Sequence, residues 1–160
     1  MKTSETLTEY EKAKQAAYTY YLQIKPVFCP HLKQNVSFNG KGFWHIVFRS
    51  QDKKREESGQ ILRFRLLSKS VKLVSHTATL QEYDSYTGEL PVRDHGKKII
   101  KVITLDFYGY IAIIDGWKIK VIVRKDGNGK PYFWSVIPNW VTNKKRDGKY
   151  LHFTGDLKED

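Results

Sequence analysis

Apolar residues recur at two different periods along the chain, and the change of period divides it. Between residues 7 and 25, Tyr10, Ala13, Ala17, Tyr20 and Ile24 follow at spacings of three and four, with Thr8 before them and Pro26 after. That pattern predicts a helix whose buried stripe runs through those five side chains. A short helix is expected over 42–48, a polar loop over 52–58, and a longer helix over 60–74 in which Leu62, Leu66, Leu73 and Val74 can face a core. From residue 79 the period drops to two. Segments 79–83, 99–108, 109–114, 117–124 and 132–138 read as strands, with Asp115-Gly116 as a two-residue hairpin turn and Asp126-Gly127-Asn128-Gly129 as a longer one. Helices followed by a meander predict an α+β fold, N-terminal helices packed on an antiparallel sheet. No internal repeat or low-complexity tract interrupts this order.

Alternation along 117–124 sorts Trp117, Ile119, Val121 and Val123 onto one face and Lys118, Lys120, Ile122 and Arg124 onto the other. One face is expected to be core and the other cationic. In the 60–74 helix, Arg65, Lys69 and Lys72 fall at i, i+4 and i+7, a strip that can meet phosphates or simply face solvent.

Composition sharpens this picture. The 160 residues carry 28 Lys and Arg against 17 Asp and Glu, a formal charge of +11. Nine of those cations and only three acids fall within residues 41–80, a net +6. With 40% hydrophobic and 14% aromatic residues the chain is too apolar for a disordered basic tail. Its one cysteine, Cys29, excludes an internal disulfide framework and fits a reducing, cytoplasmic setting. No apolar stretch approaches a bilayer span, and residues 1–19 lack the apolar core of a secretory leader, so no membrane partner is expected. Phosphate loops, nucleophile elbows and paired-thiolate motifs are missing from the sequence.

Five histidines are the candidates for proton transfer. His95 in a turn and His152 in the charged tail read as solvated side chains. His31, two residues after Cys29, lacks the further ligands a metal site needs, and no metal or cofactor is expected. His45 follows Trp44 and reads either as a hydrogen-bonded core residue or as a base; His76, where the basic helix ends, reads either as a carbonyl cap or as an acid. Ser135, in a strand, suits a phosphate hydrogen-bond donor better than a nucleophile.

The stretches Cys29-Pro30-His31-Leu32, Val36-Ser37-Phe38-Asn39-Gly40-Lys41-Gly42-Phe43-Trp44-His45-Ile46, Ser75-His76-Thr77, 108–114, 118–124 and Tyr132-Phe133-Trp134-Ser135-Val136-Ile137-Pro138 resemble, in this order, the phage and bacterial branch of the barnase, EndoU, colicin and RelE-like (BECR) nuclease superfamily. The resemblance covers roughly residues 27–141, leaving 1–26 as a helical extension and 142–160 as a charged tail. It implies metal-independent RNA cleavage, in which the ribose 2′-hydroxyl attacks the adjacent phosphate and leaves a 2′,3′-cyclic phosphate. On that pattern His45 is the general base, His76 the general acid, Lys120 and Arg124 stabilise the phosphorane, and Ser135 bonds a nonbridging oxygen. Arg65 is expected to orient the phosphate, with Lys41, Arg63, Lys69 and Lys118 as further RNA contacts. The resemblance also implies a toxin-like role and an inhibitor protein as partner. The rival reading is a non-catalytic RNA-binding module that stacks bases on Tyr86, Tyr108, Trp140 or Tyr150.

Overall fold

The structure is a computed structural model, and it describes residues 6–50, 52–138 and 157–158. In chain order its elements are α1 (Glu9–Leu22), β1 (Val27–Cys29), β2 (Gln34–Val36), α2 (Gly40–Val47), β3 (Phe48–Ser50), β4 (Lys53–Lys54), α3 (Glu57–Arg65), α4 (Leu67–His76), β5 (Glu82–Asp94), β6 (Lys97–Ile114), β7 (Trp117–Asp126) and β8 (Tyr132–Pro138). The fold is α+β. The last four strands form one antiparallel meander in the order β5-β6-β7-β8, and the β1-β2 and β3-β4 hairpins are separate two-stranded pairs.

Thr8 starts α1 through a capping box with Glu11, each side chain bonding the other's backbone N–H. The buried stripe runs through Tyr10, Ala17 and Tyr21, whereas Tyr20, placed on it by sequence spacing, is 40% exposed. Tyr21 takes the inward position because its ring packs against Phe38, Phe43 and Phe133 and its hydroxyl donates to the Asn39 carbonyl. Asn39 in turn caps α2 by accepting from the Lys41 and Gly42 N–H groups. Gly42 is where α2 lies on β8, since a Cβ there would overlap the Phe133 carbonyl. No other residue allows that approach.

The helix expected over 60–74 is two helices. It breaks at Leu66, whose N–H turns back to the Arg63 and Phe64 carbonyls, and the break lets the adjacent Leu66 and Leu67 both bury. The two strands expected over 99–108 and 109–114 are one, β6, and the strand expected at 79–83 begins only at Glu82 and runs on to Asp94. Asp115 and Gly116, both with positive φ, make the expected tight turn between β6 and β7.

Ile119, Val121, Val123, Phe133 and Val136 face the helices and share their core. The opposite face is not simply cationic. Ile122 packs there with Leu105, Phe107, Ile137 and Leu157, and Lys120 and Arg124 are only 1% and 9% exposed. This second core exists because the β5-β6 ribbon curls over the sheet, laying Tyr86, Leu90 and Ile103 against it. Among the described residues no helix is long and apolar enough to cross a membrane.

Candidate functional site

β8 is the edge strand of the meander, and α2 and α3 wrap around that edge. α2 brings His45, the β4-α3 connection brings Arg55, α3 brings Arg63, and the sheet supplies Trp134, Ser135 and Arg124. The imidazole of His45 stacks on the Trp134 indole with ring centroids 4.0 Å apart and planes within 17°. The Arg124 guanidinium lies over the same indole, 4.5 Å from its centroid. Two groups this close cannot share one ring face, so Trp134 is sandwiched between imidazole and guanidinium, a cation-π arrangement.

His45 is 2% exposed. Arg55 holds it twice, donating from Nε to the His45 carbonyl (3.0 Å) and from Nη2 to Nε2 (3.2 Å). A guanidinium can only donate, so Nε2 is the acceptor and the ring proton belongs on Nδ1. Burial, and after it the positive charges of Arg55, Arg63 and Arg124, push the His45 pKa down to about 2. The ring is therefore neutral at physiological pH, poised to accept a proton only when an anion offsets its cationic neighbours.

Ser135 is fully buried and accepts from Arg63 Nη1 at 2.9 Å, while the same Nη1 donates to the Val136 carbonyl at 3.0 Å. Register pairs Ser135 with Ile122, so its side chain belongs to the sheet face that also carries Arg124. Arg63 reaches it from the helical side because β8 has no neighbour beyond it in the meander. Asp126 fixes Arg124 at 2.6 Å, accepts from the Tyr132 hydroxyl at 2.9 Å and lies 3.7 Å from the Lys41 ammonium. Beside this network a cleft of about 430 Å³ opens between α2 and the ribbon, lined by Gly40, Lys41, Trp44, Leu90, Arg124 and Trp134.

Of the sequence-selected residues, His45, Arg124 and Ser135 thus converge, with Lys41 and Arg63 beside them. The rest lie elsewhere. His76 is exposed in the last turn of α4, which packs on β1, β6 and β7 rather than on β8. Lys120 points to the same sheet face as Arg124 but is paired with Glu82 of β5 at 3.3 Å. Lys118 sits opposite Ile113 near the β6-β7 turn. Arg65 lines a separate apolar cavity of about 400 Å³ against Ala13, Ala16, Ala17 and Tyr20 of α1, and Lys69 lies on α4. Tyr86 and Tyr108 are half-buried, and Trp140 and Tyr150 fall outside the described residues. Cys29 is buried and His31 bonds the Tyr110 hydroxyl at 2.8 Å; among the described residues no group of three or more His, Cys, Asp or Glu side chains gathers as a metal would require.

Sequence reasoning missed Arg55, Gln60 and Asp126. Arg55 and Asp126 stand in polar, turn-like stretches that carry no periodic signal. Gln60 is fully buried, donates to the Arg55 carbonyl at 2.7 Å and accepts from the Tyr10 hydroxyl, which ties α1 to the site. No protein-family model matches the chain, and neither a curated protein nor a solved structure does.

Proposed function

We propose that this chain is a metal-independent endoribonuclease acting at the edge of β8. The observation that carries the reading is the convergence of one neutral imidazole, three guanidinium groups and a serine hydroxyl beside a cationic, aromatic-walled cleft. RNA supplies its own nucleophile, so the protein has only to take a proton from the 2′-hydroxyl and stabilise the charge on phosphorus. An entering phosphate draws the Arg55 Nη2 from His45, which frees Nε2 and raises its basicity. The 2′-oxygen then attacks phosphorus and its proton passes to Nε2. The 5′-oxygen departs with a proton from solvent, leaving the cyclic phosphate. Arg63 and Arg124 carry the charge of the phosphorane, and Ser135, already accepting from Arg63, donates its own proton to a nonbridging oxygen.

One observation favours a second reading, an RNA-binding module without chemistry. Arg55 already occupies Nε2, and His45 is 2% exposed. Incubating the protein with RNA in excess EDTA and assaying for 2′,3′-cyclic phosphate ends separates the two. Cyclic ends that disappear in His45→Ala support the enzyme. Intact RNA retained by the protein supports the module, and cleavage that EDTA abolishes contradicts the proposed mechanism.

A further inference from the structure

The β5-β6 ribbon outruns the sheet that carries it. β7 pairs with β6 only from Leu105 to Ile114, so among the described strands residues 88–103 pair solely within the ribbon, which closes at His95 and Gly96. At about 3.3 Å per residue the free part of β6 is roughly 25 Å long. Its root is at the candidate site, because Leu90 lines the cleft with Arg124, Trp134 and Lys41, while its neighbours Glu89 and Pro91 turn to the other face of the ribbon.

Register and alternation place Glu89, Pro91 and Arg93 of β5 on one face with Val102, Ile100 and Lys98 of β6. Ile100 and Val102 are 70% and 66% exposed there. Across residues 89–102, Arg93, Lys97, Lys98 and Lys101 outnumber Glu89 and Asp94. Arg93 and Lys98 are register partners, and like charges directly opposite each other destabilise a ribbon. A phosphate between them removes that repulsion. A two-stranded ribbon is marginal by itself, and this one keeps aliphatic side chains in water next to unbalanced cations.

We propose that the face of this ribbon arm turned away from Leu90 is a second polynucleotide contact, reached by an RNA strand that leaves the cleft and crosses the edge of the ribbon. Arg93 and Lys98 take its phosphates, and Ile100 and Val102 meet its sugars and bases. This rests on the RNA reading of the cleft. The test compares wild type with Arg93→Ala/Lys98→Ala and with Lys12→Ala/Lys25→Ala, a double variant on exposed residues away from the ribbon with the same change in net charge. Binding of a 20-nucleotide RNA carrying 2′-deoxyribose throughout its central positions is measured against salt, alongside a tetranucleotide of the same kind. The arm variant should bind the long strand about tenfold more weakly and lower the log-log salt slope by about 1.4, two phosphates at ~0.7 each, with the tetranucleotide changed less than about twofold. The control variant should stay within about twofold for both. Equal losses in the two variants, or none in either, overturn the arm while leaving the cleft intact. A change in self-association in the arm variant with RNA binding unaltered assigns the ribbon to a second copy instead. Wild-type protein that binds neither RNA overturns the arm and the RNA reading together.

Discussion

His45 and His76 are the same residue in the same local position, the last turn of a short amphipathic helix, and the fold makes them opposites. His76 ends α4 in the open, where α4 leans on the middle of the sheet. His45 ends a helix laid against an edge strand, and what comes around that edge is Arg55, Arg63 and the Arg124-Trp134 pair. A helix end gives a histidine a favourable dipole worth a few tenths to about 1 kcal/mol. Burial, and after it three guanidinium groups, overwhelm that and hold His45 neutral. The difference lies in which strand each helix meets.

The sharpest way to break this comparison is to truncate both rings. His45→Ala should lower RNA cleavage by about 10²- to 10⁴-fold with RNA affinity within about threefold, whereas His76→Ala should change the rate less than about threefold. Single-turnover kinetics beside equilibrium binding measures both. Equal losses would return His76 to the site.

Removing Arg63 tests the edge directly. Arg63→Ala should lower single-turnover cleavage about 10²- to 10³-fold, the range for loss of one preorganised donor to a developing anion. Arg63→Lys should recover little, because Nη1 already serves the Ser135 hydroxyl and the Val136 carbonyl, and an ammonium lacks the further planar donors that the proposed mechanism needs for a phosphate.

Protonation offers a smaller effect with a definite sign. The His45 pKa is depressed in the folded state, to about 2 from an ordinary 6.5, so below pH 6.5 the unfolded chain binds the extra proton. Stability from this group is complete above pH 6.5 and falls as pH drops through the window between the two values, by up to about 1.4 kcal/mol per pH unit. Urea unfolding at pH 6.5 and pH 5 should show that slope in wild type and a flatter one in His45→Gln. Identical slopes would mean the ring is not held neutral.

The smallest effect belongs to Lys120. Its ammonium faces Glu82, 38% exposed, across 3.3 Å, away from the cleft-lining residues. Lys120→Met should leave cleavage unchanged and shift stability by no more than about 1 kcal/mol, since a half-solvated partner carboxylate keeps its water. A large loss of rate would place Lys120 at the phosphate.

Legibility followed periodicity. α1, β7, β8 and the Asp115-Gly116 turn were readable because cap, alternation and turn chemistry are all local signals. β5 was not, since Gly88, Pro91 and a run of polar residues look like a loop, and the strand is held by thirteen register pairs with β6. Lys120 and Arg124 share a face by period two, as the alternation says. What alternation cannot convey is the lateral register, which sets Glu82 across Gly109 from Ile122 and so within reach of Lys120, while Asp126 keeps Arg124 beside Trp134. His45 stood out among apolar neighbours. Arg55 did not, because only tertiary contact with α2 distinguishes it from the other charges of its loop.

Arginine side-chain NMR tests the central claim most directly, since each guanidinium Nε–H reports its own anion contact. Adding an RNA oligonucleotide with 2′-O-methyl ribose at every position, which cannot be cleaved by 2′-oxygen attack, should shift the Nε resonances of Arg55, Arg63 and Arg124 together and quench Trp134 fluorescence. Shifts confined to Arg65 and to the lysines of α4, with those three arginines unmoved, would contradict a site at the edge of β8.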